Sequence, residues 1–392
     1  MASTALPDPM SRRPATSLYI GKTSPRIQHA ILSLSDTESL LARLDLPTTL
    51  ADSEPSLDLL SQILMAWHTH IPYDSSSLHV KREDWDSAME ESRPIVLGTG
   101  DGMELGVGNF ERISKRYTGG YCYAQNTLCA AFLRGAFISG TRIRQLATTE
   151  ERHVTRPPSG FGYRVTEVGA RVYLFRGKDP VVEGYNWSCI THELLIVDWA
   201  GSDSKRYVLD AGFGGGGCPY PIVLEDGATS RSLTRNESFL LRKQAMGINS
   251  FEEIHDPPSG WTLYRRVLPR GSIVEDVTNL DPSPGYWSPC VHFTLESILP
   301  SDVIMAEYYN SHAPAAPFMV FFVVSILLPT GARKTLSYGA PPIDLKDGDD
   351  NLIKAKLYTK DGVKGEEENV EFIPFETGPI RKVLEREFGF RF

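Results

Sequence analysis

Residues 115–137 read KRYTGGYCYAQNTLCAAFLRGAF, Lys115 to Phe137, and two cysteines lie in them, Cys122 and Cys129. A Gly119-Gly120-Tyr121 turn precedes Cys122, and apolar residues follow it at helical spacing, which predicts a helix from about Tyr121 to Leu133. Cys129 lies seven residues, or two helical turns, beyond Cys122 and reads as core. Cys122 sits at the loop-to-helix junction, where the partial positive charge of a helix N-terminus favours thiolate over thiol. The stretch therefore poses a choice between a nucleophile and a small core residue.

Around it, the 392-residue chain is long enough for two or three domains, and its 41% apolar and 23% charged content is that of a soluble globular protein. A net charge of −9 argues against broad nucleic-acid binding and leaves room for a small anion held by a local cationic patch. The first twenty residues carry arginines and prolines but no apolar core of a secretory signal. The longest apolar run, FMVFFVVSILL at 318–328, is too short for a bilayer and reads as a buried strand. Five widely spaced cysteines without a CxxC pair argue against a disulfide framework or zinc ribbon, so the expectation is a reduced, cytoplasmic chain without a membrane segment or metal.

Residues 1–26 read as an arm and 27–137 as a helical domain holding Cys122. Its helical pattern starts at IQHAILSLS, with a helix capped by Asp52 or Ser53 ahead of Pro55. After Gly135 short β-branched segments bounded by Gly, Asp or Pro predict a barrel or sandwich over 138–275, including RVTEVGARVYLF, THELLIVDWA and RYVLDAGFG. Residues 276–392 read as an α/β domain closing on a helix, GPIRKVLEREFGF. The fold class is α+β.

His192 opens the strand THELLIVDWA and Asp210 closes the next, with a turn between them, so they are predicted neighbours on an antiparallel hairpin. A thiol needs a base, and an imidazole needs an acceptor that fixes its tautomer; Cys122, His192 and Asp210 supply the three parts. Residue by residue, packing, a satisfied histidine and a simple turn remain the competing readings. The glycines 212–217 offer backbone that a CoA pyrophosphate could approach, through Gly214 and Gly215, or are only a flexible turn. They lack the ending of a P-loop, LGTGDGMELG lacks a dinucleotide context, and His68 with His70 lacks a third metal ligand.

TGGYCYAQN, THELLIV and YVLDAGFG in this order resemble the arylamine N-acetyltransferase family, whose pattern is Arg-Gly-Gly-(Trp/Tyr)-Cys, a His ahead of an apolar strand, and Asp-(Ala/Val)-Gly-Phe-Gly. HTHIPYDSSSLHV, EVGARVYL, GGGGCPYPIVLE and AEYYNSHAPAAPFMVFFVVSI resemble further family segments, so the likeness runs from about residue 27. The resemblance implies a helical domain, a β-barrel and an α/β lid, a cysteine-protease-like catalytic core, and Cys122, His192 and Asp210 as its triad. It also implies acyl-CoA (acetyl-CoA or malonyl-CoA) as co-substrate, an arylamine or hydrazine as acceptor, and Phe213 lining the acceptor pocket. Tyr73 and Tyr121, which flank these motifs, are further candidate substrate contacts. A Cys-His-Asp hydrolase or amide-forming enzyme, and an inactive relative, are the alternatives. Thr118 stands where the family has Arg, and Asp74 and Ser75 where it has Glu and Asn; Arg116 is the candidate to replace the missing charge, with a surface position as its competing placement. Residues 138–162 read as an insertion that lengthens the Cys122–His192 spacing.

Overall fold

The computed structural model describes residues 26–29, 32–79, 102–105, 107–134, 161–249, 256–314, 316–338 and 354–392. The proposed arm to residue 25 and nearly all of the 138–162 insertion lie outside them.

The first helix, α1 (Leu34–Arg43), begins at Ser33, whose side chain and that of Asp36 reciprocally satisfy free backbone N–H groups. The helical reading of IQHAILSLS fails at its start. Arg26–His29 is a strand, β1, paired in parallel with β3 (Gly102–Leu105), a partner more than seventy residues away. Helix α2 (Leu57–His70) is capped by Ser56, which is extended and accepts the Leu59 N–H at 3.2 Å. Asp52 and Ser53 instead close a 3₁₀ turn at Thr48–Asp52, and Pro55 lies just outside the helix. After α2 comes β2 (Tyr73–Asp74), then α3 (Cys122–Arg134), which starts at the cysteine and is buried through Leu133.

Eight strands form the central sheet: β4 (Arg164–Tyr173), β5 (Trp187–Asp198), β6 (Tyr207–Leu209), β7 (Ile222–Val223), β8 (Thr229–Arg231), β9 (Ser238–Ala245), β10 (Ser259–Val267) and β11 (Tyr286–Ser297). Their order is β7-β6-β5-β4-β11-β10-β9-β8, and the edge strands approach each other, so the sheet curls into a nearly closed barrel. Strand β11 belongs here although it follows residue 275, the expected end of the barrel region. THELLIV is apolar without alternation because both faces are covered. Leu194 and Ile196 point into the barrel, while Leu195 and Val197 pack with α1, α2 and α3.

Helix α4 (Pro300–His312) leads from the barrel to a second sheet, β12 (Phe322–Leu327), β13 (Arg333–Tyr338), β14 (Lys354–Lys360) and β15 (Glu367–Pro374), covered by α5 (Thr377–Phe388). The apolar run at 318–328 is thus strand only from Phe322, because Pro317 starts a short helical turn through Val320. Strand β2 pairs with β12 (Val324↔Asp74, Ser325↔Tyr73). This stitches the segment after α2 into the C-terminal sheet, and the three parts meet at the start of α3.

Candidate active site

Cys122 is the first residue of α3 and is 2% exposed. Its approach is fixed by β2: Asp74 N–H donates to the Gly120 carbonyl at 3.1 Å, and Gly120 N–H to the Pro72 carbonyl at 3.3 Å. Gln125 donates to the Pro72 and Gly120 carbonyls and accepts from the Trp67 indole at 2.9 Å. The Cys122 thiol donates to the carbonyl of Thr191, the residue before His192, at 3.5 Å. Gly212 packs on the other side, where a Cβ would lie 2.7 Å from Cys122 Cα, so no larger residue fits there. Cys122 therefore sits against β5 at Thr191 and against the backbone that follows β6.

His192 Nε2 is 2.6 Å from Asp210 Oδ2, and both side chains are 3% exposed. The two are not directly opposed: Leu195 faces Leu209, where the pairing ends, so Asp210 follows at the level of Leu194, two residues from His192 along β5. Asn126, one turn after Cys122, locks the site from below. Its Nδ2 donates to the Glu193 carbonyl at 2.6 Å and to Asp210 Oδ1 at 3.1 Å, while its Oδ1 accepts the Ala211 N–H at 2.9 Å. Burial raises the Asp210 carboxyl, but His192, Asn126 and the Gly212 N–H outweigh it and hold the group below the usual aspartate value. An ionised Asp210 places the imidazole proton on Nε2, leaving the Nδ1 lone pair to accept. His68 Nε2 lies 3.0 Å from the Asp210 carbonyl at the end of α2. Among the described residues no cluster of three metal-ligating side chains occurs.

The helix N-terminus does not by itself make a thiolate. Burial pushes the Cys122 thiol well above its ordinary value, the neighbouring carboxyls of Glu307, Asp210 and Glu193 add to this wherever they are ionised, and the Tyr123 N–H opposes it only in part. Cys129 is fully buried and is likewise raised, so it is core as expected.

The family-pattern departures are resolved by a residue outside the motif. Arg112, 1% exposed, reaches the Gly119 carbonyl at 3.3 Å and Asp74 at 3.8 Å. It supplies beneath the Gly-Gly turn the charge that Thr118 lacks. Thr118 is itself buried, and its hydroxyl donates to the Arg112 carbonyl at 3.0 Å. Arg116 is half-buried, and its carbonyl accepts the Arg391 N–H near the C-terminus.

A cleft of about 430 Å³ opens between the barrel and the C-terminal sheet, with Tyr73, Phe213 and Gly215 among its lining residues. Arg176, Arg265, Arg266, Arg270, Arg333 and Lys360 also line it, against one acidic side chain, Glu237. Arg333 forks onto Glu237 with two 2.8 Å bonds. Burial raises the Glu237 carboxyl, and Arg333 and Arg265 more than offset this. At the inner end Phe213 stands edge-on to His192, ring centres 5.6 Å apart, with the Arg176 guanidinium 5.7 Å from its own ring centre. Gly214 lies against the Tyr73 ring in a smaller adjoining pocket. Tyr121 does not line the cleft. It is fully buried, stacked on Phe318, and its hydroxyl donates to Glu307. The sequence reading missed Asn126, Arg112, Glu307 and the cleft arginines; of these only Asn126 carried a local signal, its four-residue spacing from Cys122.

A buried cysteine at a helix start thus lies beside a histidine anchored on a carboxylate and next to a cationic cleft, in a chain of α+β class. A family model described as N-acetyltransferase matches residues 159–365, a span that includes His192 and Asp210 and begins after Cys122. The chain belongs to the arylamine N-acetyltransferase family. A curated arylamine N-acetyltransferase of Mycolicibacterium smegmatis is 25% identical over 218 residues, which span 56% of this chain and 57% of that relative. The solved structure of the Salmonella typhimurium arylamine N-acetyltransferase shares the fold at a TM-score of 0.55 and 18% identity, over 92% of each chain. That of arylamine N-acetyltransferase C from Bacillus anthracis does so at 0.55 and 17%, over 91% of this chain and 99% of that one. The Mycobacterium marinum arylamine N-acetyltransferase in complex with CoA matches at 0.53 and 18%, over 90% and 92%.

Proposed function

We propose that the protein transfers an acetyl group from acetyl-CoA to an arylamine, hydrazine or related nucleophile, through a thioester on Cys122. The observation that carries this reading is the convergence of three elements on one point. Cys122 Sγ lies against the Thr191 carbonyl, and the adjacent His192 is held by Asp210 at 2.6 Å. His192 Nδ1 accepts the thiol proton as Sγ attacks the thioester carbonyl; the carbon–sulfur bond to CoA breaks, and CoA leaves as its thiol once protonated by His192. The acceptor nitrogen then attacks the acyl-enzyme, gives a proton to His192, and releases Cys122 as the thiol. Asp210 orients the imidazole and stabilises its cation.

The cationic cleft supports CoA as the carrier, since a diphosphate with a further phosphate is the kind of anion that several arginines would hold. It speaks against a simple hydrolase, which has no need of such a surface. The CoA complex of the Mycobacterium marinum protein agrees with this choice. Arg176 beside Phe213 is the cation that an acyl carboxylate would meet, so a malonyl donor is a reading with its own observation. Thr118, buried on Arg112, is not in a position to serve it. The test is release of CoA thiol without amine. One equivalent per protein, followed by turnover on adding an aminophenol, supports the mechanism, and slow continuous release independent of amine would favour a hydrolase. Equal turnover with acetyl-CoA and malonyl-CoA that is insensitive to Arg176→Ala would remove the malonyl reading.

A further inference from the structure

Two residues one turn apart on α4 reach both halves of the site. Glu307 accepts the hydroxyl proton of Tyr121, the residue before Cys122. Asn310 donates at 2.9 Å to the Thr191 carbonyl, which also accepts the Cys122 thiol and precedes His192. The same helix contributes Val303 to the apolar cluster that holds Tyr73, Tyr121, Cys122 and Phe318. Glu307 is 5% exposed, and its second carboxyl oxygen, Oε2, has no partner.

We propose that Glu307 is a positioning residue of the active site: protonated, it joins Asn310 in tying α4 to the segments that carry Cys122 and His192, and its ionisation slows acylation of Cys122. The inference rests on Cys122 being the acylated nucleophile. Three kinds of group face the carboxyl. Tyr121 comes from the loop before α3, Cys122 and Tyr123 from the start of α3, and Arg112 from the turn at 111–115. Burial lifts the Glu307 carboxyl to about 8, with Tyr121 and Arg112 pulling it back only in part. Glu307 is therefore neutral at neutral pH. Burial and the nearby Glu167 likewise raise the Glu193 carboxyl well above its ordinary value, with Arg134 opposing them. When the Cys122 sulfur gains charge, the Asp210 carboxylate beside it is balanced by His192. Ionising Glu307 places a second buried negative charge against the sulfur, where like charges disfavour each other.

The experiment is the rate of Cys122 acylation by acetyl-CoA without amine, from pH 6.5 to 9.5, read by rapid quench and intact mass. Wild type, Glu307→Gln, Glu307→Leu and Tyr121→Phe are compared, with melting curves confirming that each folds. Above about pH 8 the wild-type rate falls, approaching about tenfold per unit for a one-proton ionisation. Glu307→Gln, which still accepts from Tyr121 and cannot ionise, keeps the neutral-pH rate within about threefold and loses that fall. Glu307→Leu is slower at every pH, and Tyr121→Phe moves the fall to higher pH because the lost bond favours the ionised carboxylate. An unchanged alkaline fall in Glu307→Gln, no fall in wild type, or Glu307→Gln as slow as Glu307→Leu overturns the inference while leaving Cys122 as nucleophile. Wild type that takes no acyl group at any pH overturns the proposed function and this inference with it.

Discussion

Replacing Asn126 by Leu removes three hydrogen bonds in a fully buried setting at one stroke. The Glu193 carbonyl and the Ala211 N–H lose a partner, and each buried backbone group left unmade costs about 1–3 kcal/mol. Asp210 loses one of its donors, which weakens its hold on the ionised form. Together these amount to about 3–5 kcal/mol, a large part of a typical domain's stability. Asn126→Asp is the sharper variant. It keeps the acceptor for Ala211 but turns a donor into an oxygen facing the Glu193 carbonyl and Asp210 Oδ1, so it loses more acylation rate than the side-chain change in volume can explain. The assay is urea unfolding of both variants beside wild type, with CoA release in the absence of amine as the kinetic readout. Asn126→Leu within about 1 kcal/mol of wild type and unchanged in CoA release would refute the reasoning, because Asn126 would then hold neither β5 nor Asp210 in place.

Arg112→Met leaves Asp74 without its cation beneath the Gly-Gly turn and costs about 3–5 kcal/mol, while Asp74→Asn costs less because burial already raises that carboxyl; urea unfolding of each reads the asymmetry. Arg270→Ala, at an exposed position of the cleft, weakens the apparent affinity for acetyl-CoA by about three- to tenfold at low salt and less at high salt, as measured by KM at two ionic strengths. Glu307 also links folding to pH. Its folded value of about 8 lies above its ordinary 4.5, so the folded state binds the extra proton; its contribution is fully present below pH 4.5 and is lost as pH rises through about 8. Glu307→Gln therefore loses less stability than wild type between those values, and unfolding midpoints measured at pH 5 and pH 8.5 check it.

Local chemistry makes part of this molecule readable. The Gly-Gly-Tyr turn and the apolar spacing beyond it mark the start of α3 within one residue of Cys122. The short hairpin turn is enough to make His192 and Asp210 neighbours. THELLIV is readable as a strand, and its lack of alternation comes from having the barrel on one side and helices on the other, which no local pattern reveals. What escapes a sequence reading is long-range pairing. β1 and β3, Arg112 and Asp74, and Glu307 with Tyr121 are each brought together by the fold from distant segments, and no local period records them. The cap of α2 escapes for another reason: Asp52, Ser53 and Ser56 are all good capping residues, and only the 3₁₀ turn that takes up the first two decides between them. The cleft is the extreme case, since its arginines and lysine come from several strands and loops that lie far apart in the sequence.

The central claim is that Cys122 carries the acyl group, and intact mass tests it most directly. Wild type and Cys122→Ala are incubated with acetyl-CoA and no amine, then weighed. The account predicts one acetyl group on wild type, none on Cys122→Ala, and complete discharge from wild type on adding an aminophenol. An acetyl group retained on Cys122→Ala, or one on wild type that an amine does not remove, would contradict it.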